Sequence, residues 1–214
     1  MDRTGMDDVV GDGALRVRGT VGYGADASEL VEQYESVSFR EVHRDVLHLL
    51  PEMPCRVLDV GSGSGRDAAA LAALGHVVVA VEPTPELRES GQRVHAGAWV
   101  EWVDDSLPGL GTLRGPFELV LLTAVWMHLD PAERAAGMQR LGELVVPGGR
   151  MVLVLRHGPV PAGRLMWDVS AAETVELGGR FGFVPVWVGE RGDPHGRGGV
   201  SWSVVVMDRV SEVA

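Results

Sequence analysis

Cysteine is almost absent from this sequence: Cys55 stands alone among 214 residues. A single thiol excludes a disulfide within the chain and fits a reducing compartment. Basic charge is also scarce, with 19 Lys and Arg against 30 Asp and Glu, a net charge of −11. Nucleic-acid affinity rests on cations that neutralise phosphates, so this balance argues against a polyanionic partner. No apolar run approaches the roughly 18 residues that a membrane-spanning helix needs. The first residues, with Asp2, Arg3, Asp7 and Asp8, lack the basic and apolar regions of a signal peptide. Histidines at H-x₃-H spacing and paired cysteines are both missing, so no metal site is expected. These absences lead us to expect a cytoplasmic protein with neither nucleic acid nor membrane as a partner.

What is present centres on residues 56–82, RVLDVGSGSGRDAAALAALGHVVVAVE. Val57, Leu58 and Val60 form a short apolar run of the kind buried on both faces of a parallel sheet. Gly61, Gly63 and Gly65 interrupt it with residues that tolerate positive φ and let a ligand approach the main chain. The alanine-rich stretch from Arg66 to Leu74 predicts a helix ended by Gly75, and Val77 to Val81 a second strand. Glu82 follows at the carboxyl end of that strand, where a carboxylate can accept hydrogen bonds from a ribose diol. The pattern is a nucleoside-binding βαβ unit.

The dinucleotide fingerprint G-x-G-x-x-G supports a pyrophosphate on a helix N-terminus. Here the spacing is G-x-G-x-G, Arg66 occupies the place of the third glycine, and Asp59 lies two residues before the loop. An acidic loop suits a cationic ligand better than a pyrophosphate. The D-x-G-x-G-x-G arrangement resembles motif I of the class I S-adenosylmethionine-dependent methyltransferases, whose cofactor carries an ammonium, a sulfonium and no phosphate. The VPGGRMVLVL stretch at residues 146–155 resembles the family's L-x-P-G-G segment before strand five. The resemblance implies S-adenosyl-L-methionine as cofactor, held by Asp59, Gly61, Ser62, Gly63, Gly65, Glu82 and Pro83. It also implies that Asp104 or Asp105, in the loop that continues with Ser106-Leu107-Pro108, accepts the adenine amino group. Either aspartate could instead cap a turn. Thr123 lies near the end of the strand 117–125, where residues 123–128 would cross above the carboxyl edge at which open α/β sheets bind ligands.

The rest of the chain fits a single domain. Residues 1–25 hold six glycines and little periodicity and read as a mobile arm or as a lid that orders on binding. Residues 26–50 repeat apolar residues at helical spacing, as one helix or two in line, capped by Asp26 or Ser28 and forming an N-terminal helical cap. Residues 56–210 are expected to form a doubly wound α/β core: a mostly parallel seven-stranded sheet whose last strand runs antiparallel. Strands are expected near 57–60, 77–81, 99–103, 117–125, 151–155, 183–188 and 201–207. Helices are expected at 66–74, 85–96, 131–146 and 170–181, the second capped by Thr84 with Pro85 at its first position.

Methyl transfer needs alignment first and a general base only when the acceptor must lose a proton. His157, at the end of strand five, and His128, after strand four, are the candidate bases. The family resemblance makes Tyr34, Phe39 and His43 candidates for lining the acceptor side. Trp126 and Trp202 could wall a planar acceptor, Arg156 or Arg197 could clamp a carboxylate, and His195 could reach the same region. The Asn/Asp-Pro-Pro-aromatic motif of enzymes that methylate DNA bases or protein glutamines is absent from TAVWMHL at 123–129. The expected activity is therefore transfer of a methyl group to O or N of a small molecule, by a monomer or homodimer. Two other classes fit less well: an NAD(P)-dependent oxidoreductase, and a non-catalytic regulator that binds a nucleoside cofactor.

Overall fold

A computed structural model describes residues 18–211. The arm expected at residues 1–25 lies outside the described residues as far as residue 17; residues 18–25 do not form a tail but turn back onto the molecule. Arg18–Thr20 make one turn of 3-10 helix.

The segment expected to be one or two helices is broken in three. Helix α1 spans Ala27–Glu35 and α2 only Phe39–Val42, with a 3-10 turn at Leu47–Leu49. The break is local: the Ser38 hydroxyl accepts from the Glu41 amide while the Glu41 carboxylate takes the Ser38 amide, a capping box that starts a new helix. Asp26 occupies the N-cap of α1, but its side chain makes no cap hydrogen bond.

The core follows in alternation: β1 (Arg56–Val60), α3 (Arg66–Ala73), β2 (Val77–Val81), α4 (Pro85–Val94), β3 (Val100–Val103), β4 (Phe117–Thr123), α5 (Pro131–Leu144), β5 (Val145–His157), α6 (Ala171–Arg180), β6 (Phe183–Gly192) and β7 (Ser201–Arg209). The strands form one sheet in the order β3-β2-β1-β4-β5-β7-β6. Pairs among β1 to β5 are parallel, whereas β7 is antiparallel to both β5 and β6. Six strands thus point one way and the last points back. Chain direction across the sheet reverses at β1 and β4, which places a ligand crevice above their carboxyl ends.

Both faces of the sheet are covered along β1, β4 and β5, which explains the unbroken apolar runs there, whereas the edge strand β6 leaves Val184, Val186 and Val188 exposed. Leu58, Val60, Val120, Leu122, Leu153 and Val205 pack with α5 on one face; Val57, Leu119, Leu121, Val152 and Val204 pack with Phe39, Ala68 and Leu71 on the other. Burying one such aliphatic side chain stabilises the fold by about 1.5–3 kcal/mol. Helix α1 rests on α4 through Ala27, Val31 and Leu87.

Several boundaries move. The fifth strand starts at Val145, and the expected Pro147-Gly148-Gly149 turn becomes an irregularity inside it, where the register with β4 jumps between Phe117 and Leu119. Trp99 is not a strand residue and is 92% exposed. The fourth strand stops at Thr123, because Ala124 adopts φ of 61° and turns the chain. Strands β6 and β7 run longer than expected because they pair with each other from Phe183 and Arg209 to Gly192 and Ser201.

Candidate active site

A cavity of about 470 Å³ opens at the carboxyl ends of β1, β2, β4 and β5, within the range typical of small-molecule sites. One end is the glycine loop. Gly61, Gly63 and Gly65 have φ of 65°, 57° and 81°. A Cβ on Gly63 would press on the Tyr34 ring at 3.2 Å, and one on Gly61 would meet Val125 at 2.5 Å, so the loop backbone is a close-fitting wall. Gly65 faces the opposite way and packs on Trp102; it does not line the cavity.

Glu82, 5% exposed, locks this end. Its Oε2 accepts from the Gly63 amide at 2.9 Å and its Oε1 from the Thr84 amide at 2.8 Å. Burial raises its pKa above the usual carboxylate range, partly offset by those two amides. Asp59 is buried at 1% exposure, and its Oδ2 has no hydrogen-bond partner among the described residues. Burial, then the nearby Asp67 carboxylate, pushes its pKa well above normal. A buried carboxylate oxygen without a partner invites a cation or a hydrogen-bond donor.

Beneath the loop lies a network that sequence reasoning missed. Asp67 Oδ2 contacts His43 Nε2 at 2.8 Å and accepts from Thr123 Oγ1 at 2.9 Å; Asp67 Oδ1 accepts from Arg66 Nε at 2.7 Å. Burial alone would raise the Asp67 pKa, but His43 and the Arg66 guanidinium beside it outweigh that effect and hold the carboxyl well below its usual range. Arg66 also donates to the Tyr34 carbonyl at 3.1 Å and so ties the end of α1 to the loop.

The other end of the cavity is lined by side chains from β5, the loop that follows it, the β6–β7 loop and residues 19–23. His128 sits here. Its Nδ1 meets the Leu165 carbonyl at 2.7 Å and its Nε2 the Tyr23 hydroxyl at 2.9 Å. A carbonyl only accepts, so Nδ1 carries the hydrogen and the neutral ring receives the Tyr23 hydroxyl on Nε2. Burial lowers the His128 pKa, and Arg164 and Arg156 lower it further against the Leu165 carbonyl. Burial likewise pushes the Tyr23 pKa up to about 12. The Arg164 guanidinium lies 4.2 Å from the centre of the Tyr23 ring. Tyr23 had been expected in a mobile arm. The signal that could have found it is scarcity, since the chain has two tyrosines and both line the cavity.

Other expectations are corrected. His157 lies outside the cavity lining: adjacent strand residues point to opposite faces, so Arg156 reaches the cavity while His157 Nε2 is bonded to Ser203 Oγ at 2.7 Å. His43 does not line the site either; it is 1% exposed and occupied by Asp67. Trp126 is fully buried in the core, where its large apolar area is best satisfied. Neither aspartate after β3 lines the cavity. Asp104 pairs with Arg88 at 2.9 Å, and Asp105 caps its turn by accepting from the Ser106 and Thr112 amides at 2.7 and 2.8 Å. Gly61, Ser62, Gly63, Pro83, Ser106, Thr123, Tyr34, Arg156 and His195 do line it, together with Asp59 and Glu82.

Residues 57–149 match the sequence model of the family described as "Methyltransferase domain". An uncharacterised methyltransferase of Mycobacterium bovis is 31% identical over 115 residues, covering 53% of this chain and 57% of that protein. A protein-L-isoaspartate O-methyltransferase of Methanoculleus marisnigri is 32% identical over 150 residues, covering 63% of this chain and 61% of that one. The chain spans little more than half the length of the first curated relatives it matches. Among solved structures, 1,6-didemethyltoxoflavin-N1-methyltransferase of Burkholderia thailandensis, with bound 1,6-didemethyltoxoflavin and S-adenosylhomocysteine, superposes with a TM-score of 0.61 at 26% identity, covering 94% of each chain. In fold, glycine-loop motif and the matched residues 57–149, this chain is similar to the class I, Rossmann-like S-adenosylmethionine-dependent methyltransferases.

Proposed function

We propose that the chain transfers a methyl group from S-adenosylmethionine to O or N of a small molecule, in the cytoplasm. The observation that carries this reading is continuity: the glycine loop, Glu82 and the far chamber share one cavity. At one end the buried Asp59 and Glu82 carboxylates fit a cationic nucleoside. Glu82 would hold the ribose and the Gly61–Gly63 backbone would lie along the cofactor, with Pro83, Ser106, Leu107 and Leu87 around the base. When bound, S-adenosylmethionine supplies a methyl group on an excellent leaving group.

What the chain's own residues do is align and accept a proton. Holding two reactants in register is worth on the order of 7–11 kcal/mol, so positioning dominates. For an acceptor that must lose a proton, Tyr23 and His128 are the pair the chamber offers. The proton goes to Tyr23 Oη as the tyrosine's own proton passes to His128 Nε2, leaving an imidazolium held by the Leu165 carbonyl. Gly19 and Gly22 allow this segment to close on the site, since a Cβ on Gly19 would lie 2.9 Å from the His128 Cβ and one on Gly22 would collide with Arg164. The closed wall favours a small acceptor over a protein side chain.

Titration calorimetry of S-adenosylhomocysteine tests the cofactor end. The unmutated chain is expected to bind it, and Glu82→Ala to lose about 1.5–3 kcal/mol of affinity; equal affinity in the two would contradict the ribose assignment.

A further inference from the structure

The charges lining the cavity are segregated, and against the sign of the chain. All three lining carboxylates, Asp59, Asp67 and Glu82, belong to the first two strand–helix units at the cofactor end. Beyond them no carboxylate among the described residues lines the cavity, whereas Arg156, Arg164, Arg191, Arg197 and His195 do. A chain with 30 acidic and 19 basic residues has thus gathered arginines at one place. A surface of net negative charge repels anions, so an anionic ligand needs this kind of local reversal.

Four of the five lining arginines are spoken for. Arg66 is paired with Asp67, Arg164 with Asp26 at 2.8 Å, Arg191 with Asp45 at 3.6 Å and Arg197 with Asp193 at 2.7 Å. Arg156 differs: among the described residues no carboxylate comes within 4.0 Å of it, and its one side-chain hydrogen bond runs to Met166 Sδ at 3.9 Å. Asp193, the carboxylate whose charge acts on it, is already engaged by Arg197 and by the Trp202 indole N–H at 2.9 Å. Burial and the neighbouring Arg197 lower the Arg156 pKa, so an anion there would relieve a strained cation.

Register explains the placement. Arg156 on β5 stands opposite Trp202 on β7, and Trp202 opposite Arg191 on β6. Directly opposed residues share a face, so one row across the sheet presents a guanidinium, an indole and a second guanidinium to the cavity. The Asp193 carboxylate fixes the indole by its N–H, leaving the ring as a flat wall beside the free guanidinium.

We propose that this distal end is an acceptor subsite for a flat aromatic carboxylate, with the carboxylate on Arg156 and the ring against Trp202. A planar guanidinium meets a carboxylate through two parallel hydrogen bonds, and an indole face suits a planar ring. The subsite rests on the reading that the glycine-loop end holds S-adenosylmethionine.

The test uses the full chain saturated with S-adenosylhomocysteine, titrated with benzoate and with its neutral isostere benzamide. Benzoate is expected to bind about tenfold or more tightly than benzamide. Arg156→Gln is expected to remove that preference while leaving the S-adenosylhomocysteine affinity unchanged, and Arg156→Lys to restore it only in part. Trp202→Leu is expected to weaken both probes alike and keep their ratio. Equal affinity of the two probes for the unmutated chain would overturn the proposal. So would an Arg156→Gln variant that loses S-adenosylhomocysteine instead of benzoate, which would assign Arg156 to the cofactor. If the unmutated chain bound no S-adenosylhomocysteine, the methyltransferase reading itself would fall, and the subsite with it.

Discussion

The two ends of the cavity are built in opposite ways. The glycine-loop end comes mostly from one contiguous stretch, residues 56–84, whose Glu82 carboxylate is buried and held by two amides of the same stretch. The acceptor end is assembled from residues 19–23, the turn at 126–128, the end of β5 and the β6–β7 loop, and its charges are guanidinium groups. A site that binds one ligand common to a whole class can be written as residue types at fixed spacing. A site that must suit one acceptor depends on which distant segments fold together, and no spacing encodes that.

Perturbing each end separately sharpens the contrast. The largest effect is expected at the loop. Gly65→Ala places a side chain at φ of 81° and drives its Cβ to 2.5 Å from the Trp102 ring, costing about 1–3 kcal/mol of stability in denaturant unfolding. An unchanged midpoint would mean that the loop is not backbone-constrained.

Asp59→Asn comes next and should act through pH. The folded protein raises the Asp59 pKa above its reference value of 3.8, so the native state binds that proton more tightly than the unfolded chain. The stability gained from this is fully present below the unfolded pKa and is lost as pH rises through the folded pKa. The unliganded variant escapes that loss. Its melting temperature should exceed the wild type's at pH 8, by roughly 2–4 °C for each kcal/mol regained, and the gap should close toward pH 4. A gap independent of pH would contradict the account. The same variant should bind S-adenosylmethionine more weakly, because the cofactor end gives up stability to keep a buried anion.

The smallest effects separate the two histidines. His128→Gln removes the Nε2 that anchors Tyr23 and should cost about 1 kcal/mol of stability. His157→Gln, whose ring bonds Ser203 away from the cavity, should stay within roughly 0.5 kcal/mol and leave ligand binding unchanged. The reverse order would restore His157 as the working histidine.

The glycine-loop end of the cavity was legible in the sequence because its determinants are local. Gly61, Gly63 and Glu82 are fixed by the strand–turn–helix geometry that the residues themselves impose, and the apolar periods of 57–60 and 77–81 located both strands. The doubly wound, mostly parallel sheet followed from alternation of elements, and the antiparallel last strand from a final pair of strands with no helix between them. Asp104 and Asp105 misled because a carboxylate after a strand serves a turn as readily as a ligand, and here Thr112 and Arg88, both distant in sequence, engage them. His157 misled because the strand's extent fixed its position but not which face it would point to; pairing with Ser201 and Ser203 decides that. Tyr23 and Arg164 were illegible, since their contact joins residues 141 positions apart and no local pattern marks either.

The most direct measurement is a thermal-unfolding scan of the chain alone and with S-adenosylhomocysteine, S-adenosylmethionine, NAD or NADP. A ligand at about 100 times its dissociation constant adds ~2.7 kcal/mol, which for a chain of this size is roughly 5–10 °C. The account predicts that shift with the first pair and none with the second. A shift with NAD or NADP, and none with S-adenosylhomocysteine, would contradict it.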